Sequence, residues 1–160
     1  MDRLFDRLEQ WLLPALAALL AFITAGVFLQ VVLRYGFGAS FLWGEELSLF
    51  AFVWCIYLGA AVGVRRRTHF AFDLLAGWLT GRAAAGQRLL VDLVVLGVAV
   101  VMLWEGWNYA VFSIRRLSPA LGITLLVPTA VIPLSGALMI LAAGRDVVRD
   151  ARRVWTGRPD

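Results

Sequence analysis

Four stretches of the chain are almost wholly apolar, and each is bounded by charged or turn-forming residues. They cover residues 12–33, 47–64, 89–110 and 123–145. About 20 apolar residues are enough for a helix to cross the hydrocarbon core of a bilayer. A backbone in lipid must satisfy its own hydrogen bonds, which a helix does. The pattern therefore predicts an all-α membrane protein with four transmembrane helices, in a single domain over residues 1–160. The first stretch is broken only by Pro14, Thr24, Gly26 and Gln30. It exceeds the roughly 7–15 apolar residues of a secretory signal, so it is expected to remain as a span. Pro128 and Pro133 fall inside the fourth. Each removes a backbone donor and crowds the preceding turn. That helix is either kinked, or begins at Pro128 and runs on past Arg145.

A fifth segment, residues 68–80, is too short and too mixed to cross. Wound as a helix, it gathers Phe70, Leu74, Leu75, Trp78 and Leu79 on one side. His69, Asp73, Gly77 and Thr80 fall on the other. The spacing predicts an amphipathic interfacial helix between the second and third spans. Arg65, Arg66 and Arg67 precede it and Arg82 and Arg88 follow, placed to meet anionic headgroups. Together with Trp78 they are the expected membrane-surface anchors.

Charge decides the orientation. Every one of the 15 basic residues is arginine. Twelve lie in the N-terminal tail, the connection after the second span and the C-terminal tail, which share one side of a four-span chain. Only Arg34, Arg115 and Arg116 lie on the other. The arginine-rich side belongs in the cytoplasm, so both termini are expected there, in a bacterial inner membrane. Arginines spread between apolar runs mark topology rather than a nucleic-acid surface. Trp11, Trp43, Trp78, Trp104, Trp107 and Trp155 are expected near the interfaces, as an aromatic belt.

The residues that usually carry chemistry are scarce. His69 is the only histidine and Cys55 the only cysteine. That excludes a haem held by two histidines of one chain and an intrachain disulfide. Cys55 is expected to be a packed residue within its span. No phosphate-cradling glycine loop or metal-ligand spacing stands out. No cofactor, metal or catalytic residue is expected. Asp92 follows Arg88 by four residues, where an ion pair can satisfy it. Glu105 is expected near the outer interface. On this reading no span carries a carboxylate at mid-depth, which argues against a stand-alone four-helix transporter or channel. The missing histidine and cysteine pairs argue against a membrane redox subunit.

What remains suits assembly. Gly59 and Gly63 form a GxxxG step, which lets helix backbones approach closely in lipid. Between the first two spans lie Arg34 and Tyr35, then Trp43, Gly44, Glu45 and Glu46. Acidic residues in the first turn of a helix suit its positive dipole end. Arg34 is expected to pair with Glu46, or failing that with Glu45, across this hairpin.

In order and spacing, several segments resemble the DctQ-like small membrane subunit of tripartite ATP-independent periplasmic (TRAP) transporters. They are Val32-Leu33-Arg34-Tyr35, Trp43-Gly44-Glu45-Glu46-Leu47, Phe52-Val53-Trp54, Gly59-Ala60-Ala61, Arg65-Arg66-Arg67-Thr68-His69 with Asp73, Ser118-Pro119-Ala120-Leu121-Gly122-Ile123, and Ile132-Pro133. The chain departs from the family at Gly44, where a serine is usual, and at Thr124, where a proline often stands. The resemblance implies a non-catalytic subunit without cofactors. It implies pairing, near 1:1, with a large membrane subunit that holds the substrate and sodium sites. It also implies a periplasmic substrate-binding protein that delivers an organic acid. Residues 34, 35, 43, 45 and 46 would then serve the binding-protein interface or a structural ion pair.

Overall fold

The computed structural model describes residues 2–39, 41–66 and 82–156. The described helices are α1 (Asp2–Phe37), α2 (Leu42–Arg65), α3 (Arg82–Ser113), the single turn α4 (Leu126–Thr129) and α5 (Val131–Thr156). Among the described residues, four helical stretches are long and apolar enough to cross a membrane. They are Gln10–Phe37, Leu42–Arg65, Leu89–Ser113 and Leu126–Ala151, the last joining α4 to α5. The expected interfacial helix at 68–80, with Arg67 and Trp78, lies outside the described residues.

The helices outrun the apolar stretches because their polar ends stay wound. α2 starts at Leu42, where the N–H groups of Gly44 and Glu45 both reach the Phe41 carbonyl, at 3.1 and 3.2 Å. The Phe41 ring folds back over Gly44 and packs tilted against Trp43, with centroids 4.0 Å apart. Gly44 therefore sits inside the first turn, under an aromatic lid, and not at the cap. α1 ends at Gly38, whose φ of 64° glycine adopts without strain. At the fourth span both sequence readings hold in part. Pro128 occupies the one-turn α4, the helix breaks at Ala130, and α5 then runs well past Arg145. Pro133 lies in the first turn of α5, where a missing N–H leaves no intrahelical bond unmade.

α1 packs on α2, α2 on α5, and α5 on α3, so α1 and α3 form the two edges. The shared core is built from small residues. Ala61 and Val64 of α2 meet Ala99 of α3 and Met139 and Ala143 of α5. Two glycines set the α3–α5 distance. A Cβ on Gly136 would lie 2.8 Å from the Leu103 nitrogen, and one on Gly106 would lie 2.7 Å from Ile132 Cγ2. Gly26 makes the corresponding close approach of α1 to Ser48 of α2, where Gln30 Nε2 also donates to the Ser48 hydroxyl. Gly59, by contrast, faces open space. Among the described residues the close helix approaches are made at Gly26, Gly106 and Gly136, not at Gly59.

These contacts also set depth. Ser113 ends α3 at the same end of the bundle as the α1–α2 connection. Glu105 lies eight residues before it, about 12 Å deeper at the rise of an α-helix. Ala99, in the core with Ala61 and Val64, lies about 9 Å deeper still. Glu105 is thus abreast of the middle of α2. α3 stays helical through the polar run Trp104-Glu105-Gly106-Trp107-Asn108 and ends only at Ser113, so Glu105 lies inside the membrane-length stretch Leu89–Ser113.

Candidate functional site

The most constrained polar structure lies where α3 turns back towards α4. Residues 114–125 fold as a short hairpin with one antiparallel bridge, Leu117 to Thr124. Ser118 N–H donates to the Ile123 carbonyl and Leu125 N–H to the Arg116 carbonyl, both at 2.8 Å. Thr124 Oγ1 donates to the Ser113 and Ile114 carbonyls at 3.2 and 3.0 Å, satisfying the end of α3. Gly122 closes the tip with a φ of 67°, its N–H on the Ser118 carbonyl at 3.0 Å.

Glu46 holds that tip from the second turn of α2. Its Oε2 accepts the N–H groups of Ala120 and Leu121 at 3.0 and 2.9 Å. The Ser118 side chain lies beside the same carboxylate and accepts the Leu121 N–H at 3.2 Å. Two converging backbone donors on one carboxylate oxygen form a charge-assisted clasp, stronger than a neutral pair. Two turns further along α2, Trp54 Nε1 donates to the Val127 carbonyl at 3.0 Å. That carbonyl lies in α4, beside the break that precedes α5. α2 therefore fixes the whole α3–α5 connection at two points.

The expected pairing of Arg34 is corrected by this arrangement. Among the described residues Arg34 makes no ion pair with Glu46 or Glu45. The turn at 118–122 offers Glu46 two preorganised N–H groups, whereas Arg34 lies exposed in the last turn of α1. Tyr35 is 83% exposed, Trp43 leans on Phe41, and Glu45 is exposed in the first turn of α2. Among the described residues no side-chain hydrogen bond or ion pair joins these four to Glu46. Arg65 and Arg66 sit at the opposite end of α2, and both are engaged. Gly63 lies two residues before Arg65.

Sequence reasoning missed Ala120 and Leu121 as the partners of Glu46, and Trp54 as the second fixing point. Both partnerships span more than 70 residues, with separations of 74, 75 and 73 positions. A single sequence carries no signal for such a pairing. Cys55 is a free, half-buried thiol within α2. Among the described residues no three His, Cys, Asp or Glu side chains gather as a metal site would require.

The family model of the tripartite ATP-independent periplasmic transporters, DctQ component, matches residues 23–153. That interval contains α2, α3, the hairpin and both Glu46 and Trp54. The chain is 29% identical over 104 residues to a C4-dicarboxylate TRAP transporter small permease protein of Vibrio cholerae, covering 65% of this chain and 44% of that one. It is 27% identical over 106 residues to a TRAP transporter small permease protein of Haemophilus influenzae, covering 66% of each. It is 27% identical over 140 residues to the isethionate TRAP transporter permease protein DctMQ of Oleidesulfovibrio alaskensis, covering 86% of this chain but 22% of that one. The chain thus spans less than half of the first of these relatives and about a fifth of the last. The family is one of transport components, not enzymes. By this match and its four membrane-length helices, the chain is a multi-pass bacterial membrane protein belonging to the DctQ component family of tripartite ATP-independent periplasmic transporters.

Proposed function

We propose that this chain is the small, non-catalytic membrane subunit of a TRAP transporter, bracing a large permease subunit during sodium-coupled uptake of an organic acid. Both termini lie in the cytoplasm, and the hairpin end faces the periplasm. The observation that carries the reading is the clasped hairpin. A loop of twelve residues held by backbone bonds, Glu46 and Trp54 is a rigid platform. Exposed Arg115, Arg116, Pro119 and Ala120 give it a basic, accessible surface on which a periplasmic substrate-binding protein docks. The core is closed by small residues at glycine contacts, which suits a brace and leaves transport to the partner. Gly59, facing open space, is available to a helix from outside the chain. In the Oleidesulfovibrio relative the matching stretch is one-fifth of a longer permease protein, which supports a large membrane partner for this chain.

Membership of a component family argues against transport by the chain alone. The test is reconstitution. The chain should co-purify with its large permease at about 1:1, and uptake should need both. Substrate-dependent flux in liposomes holding this chain alone would overturn the reading.

A further inference from the structure

The two edges of the bundle differ in chemistry. α1 turns Leu20, Phe22, Val27, Phe28 and Val31 outward. The Thr24 hydroxyl on that helix is satisfied by its own Leu20 carbonyl, at 2.8 Å. Such a face suits lipid. α3 is built the other way. Its buried side, Ala99, Gly106 and Ala110, is made of small residues packed towards α5. Two of its polar groups point out of the bundle. Glu105 and Asn108 are both exposed and, three residues apart, share one outward side. Trp104, also outward, is 70% exposed.

Among the described residues none hydrogen-bonds or ion-pairs with the side chains of Glu105 or Asn108. Membrane proteins turn polar and ionisable side chains towards protein or water-filled cavities and not towards lipid, because unpaired charge in hydrocarbon is costly. Here the stripe faces away from the chain's own core inside a membrane-length helix, some 12 Å from the end of α3. A carboxyl group there needs a basic or hydrogen-bonding partner, and an amide beside it needs a hydrogen-bonding neighbour.

We infer that the outward face of α3 around Val101, Glu105 and Asn108 is the contact with a transmembrane helix of the large permease, and that this helix presents a basic side chain to Glu105. The inference rests on the proposed pairing with a large permease and adds which edge is used and what chemistry meets it. The α1 edge is left to lipid. The basic partner explains why a carboxylate is tolerated at this depth, and Asn108 supplies a second, neutral bond one turn nearer the hairpin.

The chain is expressed with the epitope-tagged large permease of its own transporter. Photoreactive benzoylphenylalanine replaces Val101 or, on the opposite edge, Phe28, so that Glu105 stays intact. Illumination should join position 101 to the tagged permease and leave position 28 uncoupled. E105K sets cation against cation and should lower the yield of complex by roughly tenfold, as expected for loss of a polar contact between helices. E105Q keeps an acceptor and should lower it less. Both variants should purify alone as wild type does, which separates lost pairing from lost folding. Cross-linking at position 28 in place of 101 overturns the inference, as does E105K complex at wild-type yield. A product joining two copies of this chain at position 101 overturns it in favour of self-association. If wild-type chain and permease co-purify while these results fail, the edge assignment alone is wrong. If they do not co-purify, the proposed pairing itself fails.

Discussion

Oε2 of Glu46 accepts the Leu121 N–H at 2.9 Å, across 75 positions of sequence. The bond joins the start of α2 to the tip of the connection between α3 and α4. It turns a loop that one sequence can only describe as polar and glycine-bearing into a fixed surface.

Removing that carboxylate should free the tip. In E46A the amides of Ala120 and Leu121 lose their acceptor, and their hydrogen exchange should speed up while the α3 core stays protected. E46Q keeps a neutral oxygen and should fall between the two, since charge-assisted bonds are roughly twice as strong as neutral ones. Uptake should follow the same order if the binding protein docks there. Unchanged exchange in E46A would show that the backbone bonds of the hairpin suffice.

Trp54 offers a second lever. W54F keeps an aromatic ring of similar shape but deletes the donor to Val127. A typical net hydrogen bond contributes about 0.5–1.5 kcal/mol, so the purified chain should lose a few degrees of thermal stability in detergent. A melting curve superimposable on wild type would mean that the indole N–H finds an equal partner in water or detergent.

The glycines separate internal from external packing. In G136A the new methyl meets the Leu103 backbone, which cannot swing aside as a side chain tip can. Overpacking of this kind costs about 1–3 kcal/mol, read as lower stability of the isolated chain. G59A enters open space and should leave the isolated chain unchanged. If G59A instead lowers the yield of complex with the permease, that face of α2 belongs to the partner. Destabilisation of the isolated chain by G59A would contradict the packing described here.

Orientation can be read by labelling. In a Cys55→Ala background, a cysteine at Ala120 should react with an impermeant maleimide in intact cells, and one at Arg66 should not. The reverse pattern would invert the topology and place the hairpin in the cytoplasm.

Gly44 illustrates how a local departure from a family pattern is explained only by its surroundings. A serine there would put Cβ against the Phe41 ring, so the ring could not keep its place beside Trp43. The sequence shows the glycine but not the aromatic lid above it, because the lid depends on how the chain enters α2.

The sequence alone determined the number of membrane-length helices and the family. Both follow from local facts: long apolar runs have one good solution in lipid, and motifs are read in order along the chain. The Arg34–Glu46 pairing was misjudged because it depends on where one element lies against another. Glu46 prefers two backbone donors brought to it by a turn more than 70 residues away. Glu105 lies eight residues inside the end of α3, beside the close approach of Gly106 to Ile132 and Pro133. Which side of α3 is polar was written in the spacing of its residues. That this side faces away from the chain's own core was decided only when the glycines of α3 and α5 met.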